Sequence, residues 1–140
     1  MDLNISTTEA QNYIHQYFET YPKVKTFLEG LVQKAREDGY VTTMFGRKRP
    51  ILDLTNGNVQ KRSAQERIAM NSPIQGTAAD IIKIAMIRVN ERLKKENFQS
   101  RLLLQIHDEL LVETKKDEIE SVKQILKEEM QYATELSIPL

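Results

Sequence analysis

The residues best equipped for chemistry sit side by side. They are His107, Asp108 and Glu109, inside the stretch Gln105-Ile106-His107-Asp108-Glu109-Leu110. Apolar strand-formers flank them: Leu102, Leu103, Leu104 and Ile106 before, Leu110, Leu111 and Val112 after. This pattern predicts two short strands joined tightly, with the polar groups at the bend. Such a bend lifts an Asp out of a packed sheet and points it at solvent or at a bound ion. An Asp on a rigid hairpin can hold magnesium, a hard cation that prefers oxygen ligands. The competing reading is an acidic turn that only keeps the hairpin soluble, and other parts of the chain must decide.

A second set of candidates is Arg67, Asn71 and Gln75, at i, i+4 and i+8. On a helix they fall within roughly 80° of arc, spread along about 12 Å of axis. All three donate hydrogen bonds, and Asn and Gln also accept. The minor groove of a duplex offers base acceptors shared by all four base pairs. A rigid row of donors could therefore test base-pair shape without reading sequence. An exposed polar stripe on an amphipathic helix would look the same. The surrounding Asn71-Ser72-Pro73-Ile74-Gln75-Gly76-Thr77-Ala78-Ala79-Asp80 weakens that plainer reading. Pro and Gly inside a helix cost on the order of 3 and 1 kcal/mol, so their presence suggests a shape requirement.

These residues need elements to position them. Ser6-Thr7-Thr8-Glu9 matches a capping box. A helix should follow to about Thr20, with Tyr13, Ile14, Tyr17 and Phe18 along one side, ended by Tyr21-Pro22. Pro22 suits the first turn of a second helix, striped with Val24, Phe27, Leu28, Leu31 and Val32 and stopped at Gly39. Tyr40–Phe45 is rich in strand-formers, Gly46 allows a turn, and Pro50–Leu54 could return as an edge strand. The basic triplet Arg47-Lys48-Arg49 would lie at that turn, and Asn56-Gly57-Asn58 reads as a loop. A second capping box, Ser63-Ala64-Gln65-Glu66, should open a long helix to about Glu96, kinked at Pro73, with Ile81, Ile82, Ala85, Met86 and Val89 as its core face. Asn97 is a plausible end to it. Asp117 and Glu120 suit the start of a last helix, with Ile119, Val122, Ile125, Leu126 and Met130 facing inward. His15 reads as surface or filling, not as a ligand. Leu136, Ile138 and Leu140 look like the approach to a further strand.

At 140 residues and 40% hydrophobic content the chain can build the core of one ordinary domain. It has no cysteine, which excludes disulfides, thiol catalysis and cysteine zinc sites. No apolar run could span a membrane and the amino terminus has no signal-peptide character, so a cytoplasmic location is expected. Net charge is zero, but unevenly distributed. Residues 41–67 hold Arg47, Lys48, Arg49, Lys61, Arg62 and Arg67 against Asp53 and Glu66, while residues 108–135 hold nine acids against four lysines. The basic part is what a phosphate-contacting surface looks like, and a solvated face is equally compatible with charge alone.

Two stretches read together are specific. Glu66-Arg67-Ile68-Ala69-Met70-Asn71-Ser72-Pro73-Ile74-Gln75-Gly76-Thr77-Ala78-Ala79-Asp80, followed by Leu103-Leu104-Gln105-Ile106-His107-Asp108-Glu109-Leu110, resembles the family A DNA polymerases. Phe45-Gly46-Arg47-Lys48-Arg49 is similar to the basic hairpin that precedes them in that family, and the resemblance covers essentially the whole chain in order. It implies that Asp108 is the motif C aspartate holding catalytic magnesium, that Glu109 is its supporting acid, and that His107 lies near the primer terminus. It implies that Arg67, Asn71 and Gln75 touch the primer–template minor groove, in agreement with the donor row. The implied partners are primer–template DNA and deoxynucleoside triphosphates. The implied reaction is in-line attack of a primer 3′-hydroxyl on a triphosphate, with two magnesium ions stabilising the attacking and leaving oxygens.

The resemblance also sets a limit. No counterpart of the family's motif A aspartate is present, nor of the fingers helix whose Lys, Arg and Tyr grip the nucleotide. The chain therefore reads as a fragment: distal fingers helices and the basic hairpin over residues 1–62, and a palm portion with the long helix, the motif C hairpin and the last helix over 63–140. The expected fold is α+β, with roughly five helices (the long kinked one counted twice) and two hairpins. The isolated chain is expected to be inactive, with an exposed strand edge and a tendency to self-associate. The competing functions are a non-catalytic duplex-DNA-binding module, a helical domain with no nucleic-acid role, and a single-subunit RNA polymerase with a similar palm.

Overall fold

The computed structural model describes residues 5–55 and 57–138. Met1, Asn56 of the expected loop, and the Pro139-Leu140 end lie outside the described residues. The described residues form four α-helices, one short 3-10 turn and two antiparallel hairpins, an α+β fold. The chain divides into two compact units, Met1–Pro73 and Ile74–Leu140.

In the first unit, helix α1 spans Thr7–Thr20 and opens on the expected capping box. The Ser6 hydroxyl accepts from the Glu9 amide at 3.2 Å, and the Glu9 carboxylate accepts from the Ser6 amide at 2.8 Å. The bond from the Ser6 amide, and a second at 2.8 Å from the Ser6 hydroxyl to the same carboxylate, hold the Glu9 carboxyl below its ordinary range. Helix α2 spans Pro22–Asp38, with Pro22 at its start and Gly39 closing it at φ 78°. His15 is exposed, 3.3 Å from Glu19 one turn on.

Strand β1, Tyr40–Thr42, pairs antiparallel with β2, Lys48–Pro50. This corrects two expectations. The return strand is not Pro50–Leu54, and Lys48 and Arg49 lie in the strand instead of at the turn. The reason is the register. Tyr40 faces Pro50, which places the reversal at Thr43–Arg47, where Gly46 takes φ 80°. Thr43 closes that loop: its amide donates to the Arg47 carbonyl at 3.0 Å and its hydroxyl accepts from the Arg47 amide at 3.2 Å. Beyond Pro50 the chain turns inward, with Asp53 at φ 63° and Ile51 and Leu54 buried. They join Val32, Ala35, Val41 and Ala69 in the core of this unit.

Helix α3 spans Val59–Lys95 without interruption through Pro73. It begins before the expected Ser63 box, because Asn58 caps it: the Asn58 side-chain oxygen accepts from the Gln60 and Lys61 amides at 3.0 and 3.2 Å. The expected long helix is thus one element, and it counts once and not twice. Asn97 ends it as expected, at φ 59°. The Phe98 amide returns to the Leu93 carbonyl and the Asn97 amide to the Lys94 carbonyl, the paired bonds of a Schellman stop.

In the second unit, β3 (Arg101–Ile106) pairs antiparallel with β4 (Glu109–Glu113). A 3-10 turn at Lys116–Glu118 leads into helix α4, Ile119–Gln131. Leu110 and Val112 on β4 pack against a buried cluster of Val89 and Leu93 from α3 and Val122 and Ile125 from α4. An isolated two-stranded hairpin is marginal in water, and these helices supply its covering face. Ile82, Ala85 and Val89 of the expected α3 face are buried, but Ile119 is exposed, because it is the first residue of α4 and precedes the packed turn. Arg92 joins the two helices, contacting Glu96 at 2.9 Å on its own helix and Glu128 and Glu129 at 2.5 and 3.1 Å on α4. These carboxylates push the guanidinium up from its ordinary value, Glu128 most of all.

Candidate functional site

The second unit holds the acidic candidates. Ile106 faces Glu109 in the β3–β4 ladder, so His107 and Asp108 are the whole connection between the strands. A two-residue hairpin loop needs a positive φ, normally supplied by Gly or Asn. Here His107 takes it, at φ 53°. The consequence is that His107, Asp108 and Glu109 are brought together at one exposed bend, as the sequence predicts.

Two features hold this bend. At its tip, the Gln105 side-chain amide donates to the His107 carbonyl at 2.7 Å. At its base, the Glu118 carboxylate accepts from the Gln99 amide at 3.0 Å, the Ser100 amide at 2.9 Å and the Ser100 hydroxyl at 2.5 Å. The Ser100 oxygen in turn accepts from the Lys115 amide at 3.2 Å, tying the entry of β3 to the exit of β4. The bonds from Gln99 and Ser100 keep the Glu118 carboxyl below its ordinary range. Neither Gln105 nor the Ser100–Glu118 pair was singled out from sequence. Gln105 carried a local signal, a polar residue two places before a tight bend. Ser100 and Glu118 lie 18 residues apart and carried none.

Asp108 also lines a cavity of about 510 Å3 within this unit. Its walls are apolar, from Ile81, Ile82 and Ala85 of α3 and Met130 of α4, with Lys127 and Gln131 adding polar groups. Among the described residues no group of three or more His, Cys, Asp or Glu side chains comes together as a metal cage. The donors that are present still suit a hard divalent cation. Asp108 and Glu109 are exposed, adjacent carboxylates, and no bond within the described residues occupies either one. Magnesium is usually held by one or two carboxylates, with waters and substrate phosphates completing its shell.

The first unit holds most of the basic candidates. Arg47, Lys48 and Arg49 lie together on the exposed β1–β2 hairpin, and the Lys48 ammonium sits 4.3 Å from the centre of the Tyr40 ring. Arg67 and Asn71 are exposed on α3, one turn apart. Glu66 beside them is engaged by Arg36 of α2 at 2.6 Å, which fixes this part of α3 to the core of the unit. Gln75, on the same helix, belongs to the second unit and is also exposed. None of the side chains of Arg67, Asn71 and Gln75 is spent on a bond within the described residues. No helix among the described residues is long and apolar enough to cross a membrane.

Comparison with known proteins extends these observations. Residues 1–140 match the family described as DNA polymerase family A. The chain is 52% identical over 139 residues to DNA polymerase I of Caldicellulosiruptor bescii, covering 99% of this chain and 16% of that protein. It is 48% identical to DNA polymerase I of Bacillus subtilis over the same shares. The chain therefore spans about one-sixth of the length of these relatives. Among solved structures it resembles the POL domain of Pol1 from M. smegmatis, in complex with DNA primer-template and dNTP. That match has a TM-score of 0.93 at 46% identity and covers 99% of this chain and 24% of that one.

Proposed function

This chain belongs to DNA polymerase family A, and we propose that it is the part of a template-directed DNA polymerase that carries one metal-binding acid pair and a set of duplex contacts. The observation that carries the reading is the exposed two-residue bend holding His107, Asp108 and Glu109 on a braced hairpin. In this reading Asp108 and Glu109 hold magnesium, which when bound lowers the barrier to attack by the primer 3′-hydroxyl on the nucleotide phosphate. His107 lies against the primer terminus. Arg67, Asn71 and Gln75 donate into the minor groove of primer–template DNA. Arg47, Lys48 and Arg49 contact backbone phosphates. Residues 1–62 form part of the fingers and 63–140 part of the palm. A cytoplasmic location follows from the work on DNA.

The solved relative contains both primer-template and dNTP in its complex, and these are the ligands proposed here. With only two adjacent carboxylates at the bend, the 140 residues alone should extend a primer poorly or not at all.

The test is made in a full-length family A polymerase carrying these residues in place of its matching segment. Asp108→Ala should lower the extension rate by about a thousandfold or more, since a catalytic metal supplies several kcal/mol of charge stabilisation, while primer–template affinity changes little. A variant extending at the parent rate would overturn the assignment. If the competing binding-module reading were right, Asp108→Ala would be silent and Arg67→Ala would weaken salt-dependent duplex binding.

A further inference from the structure

The bend poses a problem that the proposed chemistry does not explain. His107 occupies a left-handed backbone conformation at φ 53° although it bears a Cβ. Such a residue is strained relative to an ordinary conformation, because its Cβ crowds the neighbouring carbonyl. It persists only where surrounding structure over-determines it. Asp108 follows directly, so the plane of the His107–Asp108 peptide sets where the Asp108 carboxylate points.

Among the described residues, one side chain bonds that peptide. The Gln105 amide nitrogen donates to the His107 carbonyl at 2.7 Å. Gln105 is itself well supported. It pairs with Leu110 in the ladder, and Leu110 packs on the buried cluster of Val89, Leu93, Val122 and Ile125. A continuous path therefore runs from the core, through Leu110 and Gln105, to the carbonyl preceding Asp108. We propose that Gln105 is a positioning residue: by donating to the His107 carbonyl it holds the strained peptide in the orientation that aims Asp108 at its cation. This rests on the proposed metal-binding role of Asp108. The amide is needed for its donor. Isosteric Glu offers only acceptors when ionised, and Met offers no donor.

The experiment uses the 140-residue chain labelled for NMR, with Mn2+ as the probe. The 13Cα and 13Cβ shifts of His107 report its backbone conformation without any metal. Mn2+ broadening of the hairpin amides reports binding. In Gln105→Met the His107 shifts should move toward those of an extended residue, and the Mn2+ midpoint should rise about tenfold, the lower end of the loss expected when a supporting partner of a metal ligand is removed. In Gln105→Glu the same His107 difference, read against the unsubstituted chain at the same pH, should appear at pH 7 and vanish below about pH 4.3, where the new carboxyl is protonated and can donate. A merely structural role for Gln105 would not produce that reversal. A melting curve for each variant shows that it is folded.

The outcomes separate cleanly. If Asp108→Ala leaves Mn2+ broadening at the bend intact, the metal-binding reading fails. If Asp108→Ala removes the broadening but Gln105→Met leaves both the His107 shifts and the midpoint unchanged, the positioning role alone is overturned. Unchanged His107 shifts in Gln105→Glu at pH 7 would also overturn it.

Discussion

The β1–β2 connection places Gly46 at φ 80°, while the β3–β4 connection places His107 at φ 53°. Both hairpins need a left-handed residue to reverse, and they meet that need differently. The first uses the residue that adopts it without steric cost. Its loop runs over Thr43–Arg47 and is closed by backbone and hydroxyl bonds of Thr43, with three-residue strands on either side. The second spends its whole two-residue loop on His107 and Asp108 and is braced at the tip by Gln105 and at the base by Glu118 and Ser100. The difference marks where side chains are needed. A basic hairpin whose cations reach outward tolerates a plain turn. The acidic one, proposed to aim a carboxylate at a cation, carries a left-handed His107 and the groups that hold it.

The sharpest break between the two comes from removing the support under the second. Ile125 is 2% exposed beneath β4, packed with Val122, Val89 and Leu93. Ile125→Ala should cost about 2–5 kcal/mol, as buried Ile-to-Ala changes do. Amide exchange should accelerate across residues 101–113 and much less across the β1–β2 hairpin. Equal acceleration in both hairpins would mean that they do not depend on separate cores.

Acid should also distinguish them. The Glu118 carboxyl is held below its ordinary value of 4.5 by bonds from Gln99 and Ser100. A carboxyl with a depressed folded pKa contributes stability above its unfolded pKa, and that contribution is lost as pH falls through the folded value. Glu128, lowered by Gln124 and Arg92, acts in the same sense. Melts from pH 7 to pH 3 should therefore show the β3–β4 hairpin loosening below about pH 4.3. Glu118→Gln should lower the pH 7 melting temperature and flatten this acid dependence, leaving the shares due to Glu128 and, in the first unit, Glu9. An unaltered profile would remove Glu118 from the brace.

How much of this was legible from sequence follows the reach of each interaction. The Ser6–Glu9 box, the Pro22 start, the Gly39 stop and the His107-Asp108 bend involve neighbours within a few positions, so residue types reveal them. The acidic candidates could be picked out one by one for the same reason. The β1–β2 register could not. Pro50–Leu54 has strand-like residues, but Ile51 and Leu54 are drawn into a core built from α2 and α3, and Asp53 turns the backbone to follow them. The start of α3 was misplaced because two caps compete, and Asn58 lies upstream of Ser63. The Ser100–Glu118 brace spans 18 residues and has no periodic signature at all.

Charge offers a smaller contrast. If the β1–β2 hairpin meets phosphates, Arg49→Ala in the chimeric full-length polymerase should weaken binding uniformly across duplex sequences and reduce the salt slope by about one. Glu113→Ala, at the base of the other hairpin and ion-paired with Arg101, should leave that slope nearly unchanged. An Arg49 effect confined to certain sequences would argue for base contacts instead.

The smallest effects test the turns themselves. Gly46→Ala puts a Cβ on a residue at φ 80°. The space around it is open, with nothing within 4 Å of the added carbon, so the cost is conformational alone, about 1 kcal/mol. His107→Gly runs the other way. It relieves a comparable strain but frees the unfolded chain, so stability should change by less than about 1 kcal/mol. If the strain at His107 serves Asp108, that near-neutral change in stability should still raise the Mn2+ midpoint at the bend, because a glycine there lets the peptide before Asp108 sample other orientations. Chemical denaturation compared with Mn2+ broadening separates the two quantities. A His107→Gly variant that gains stability and keeps its Mn2+ midpoint would show that the left-handed histidine contributes nothing to aiming the carboxylate.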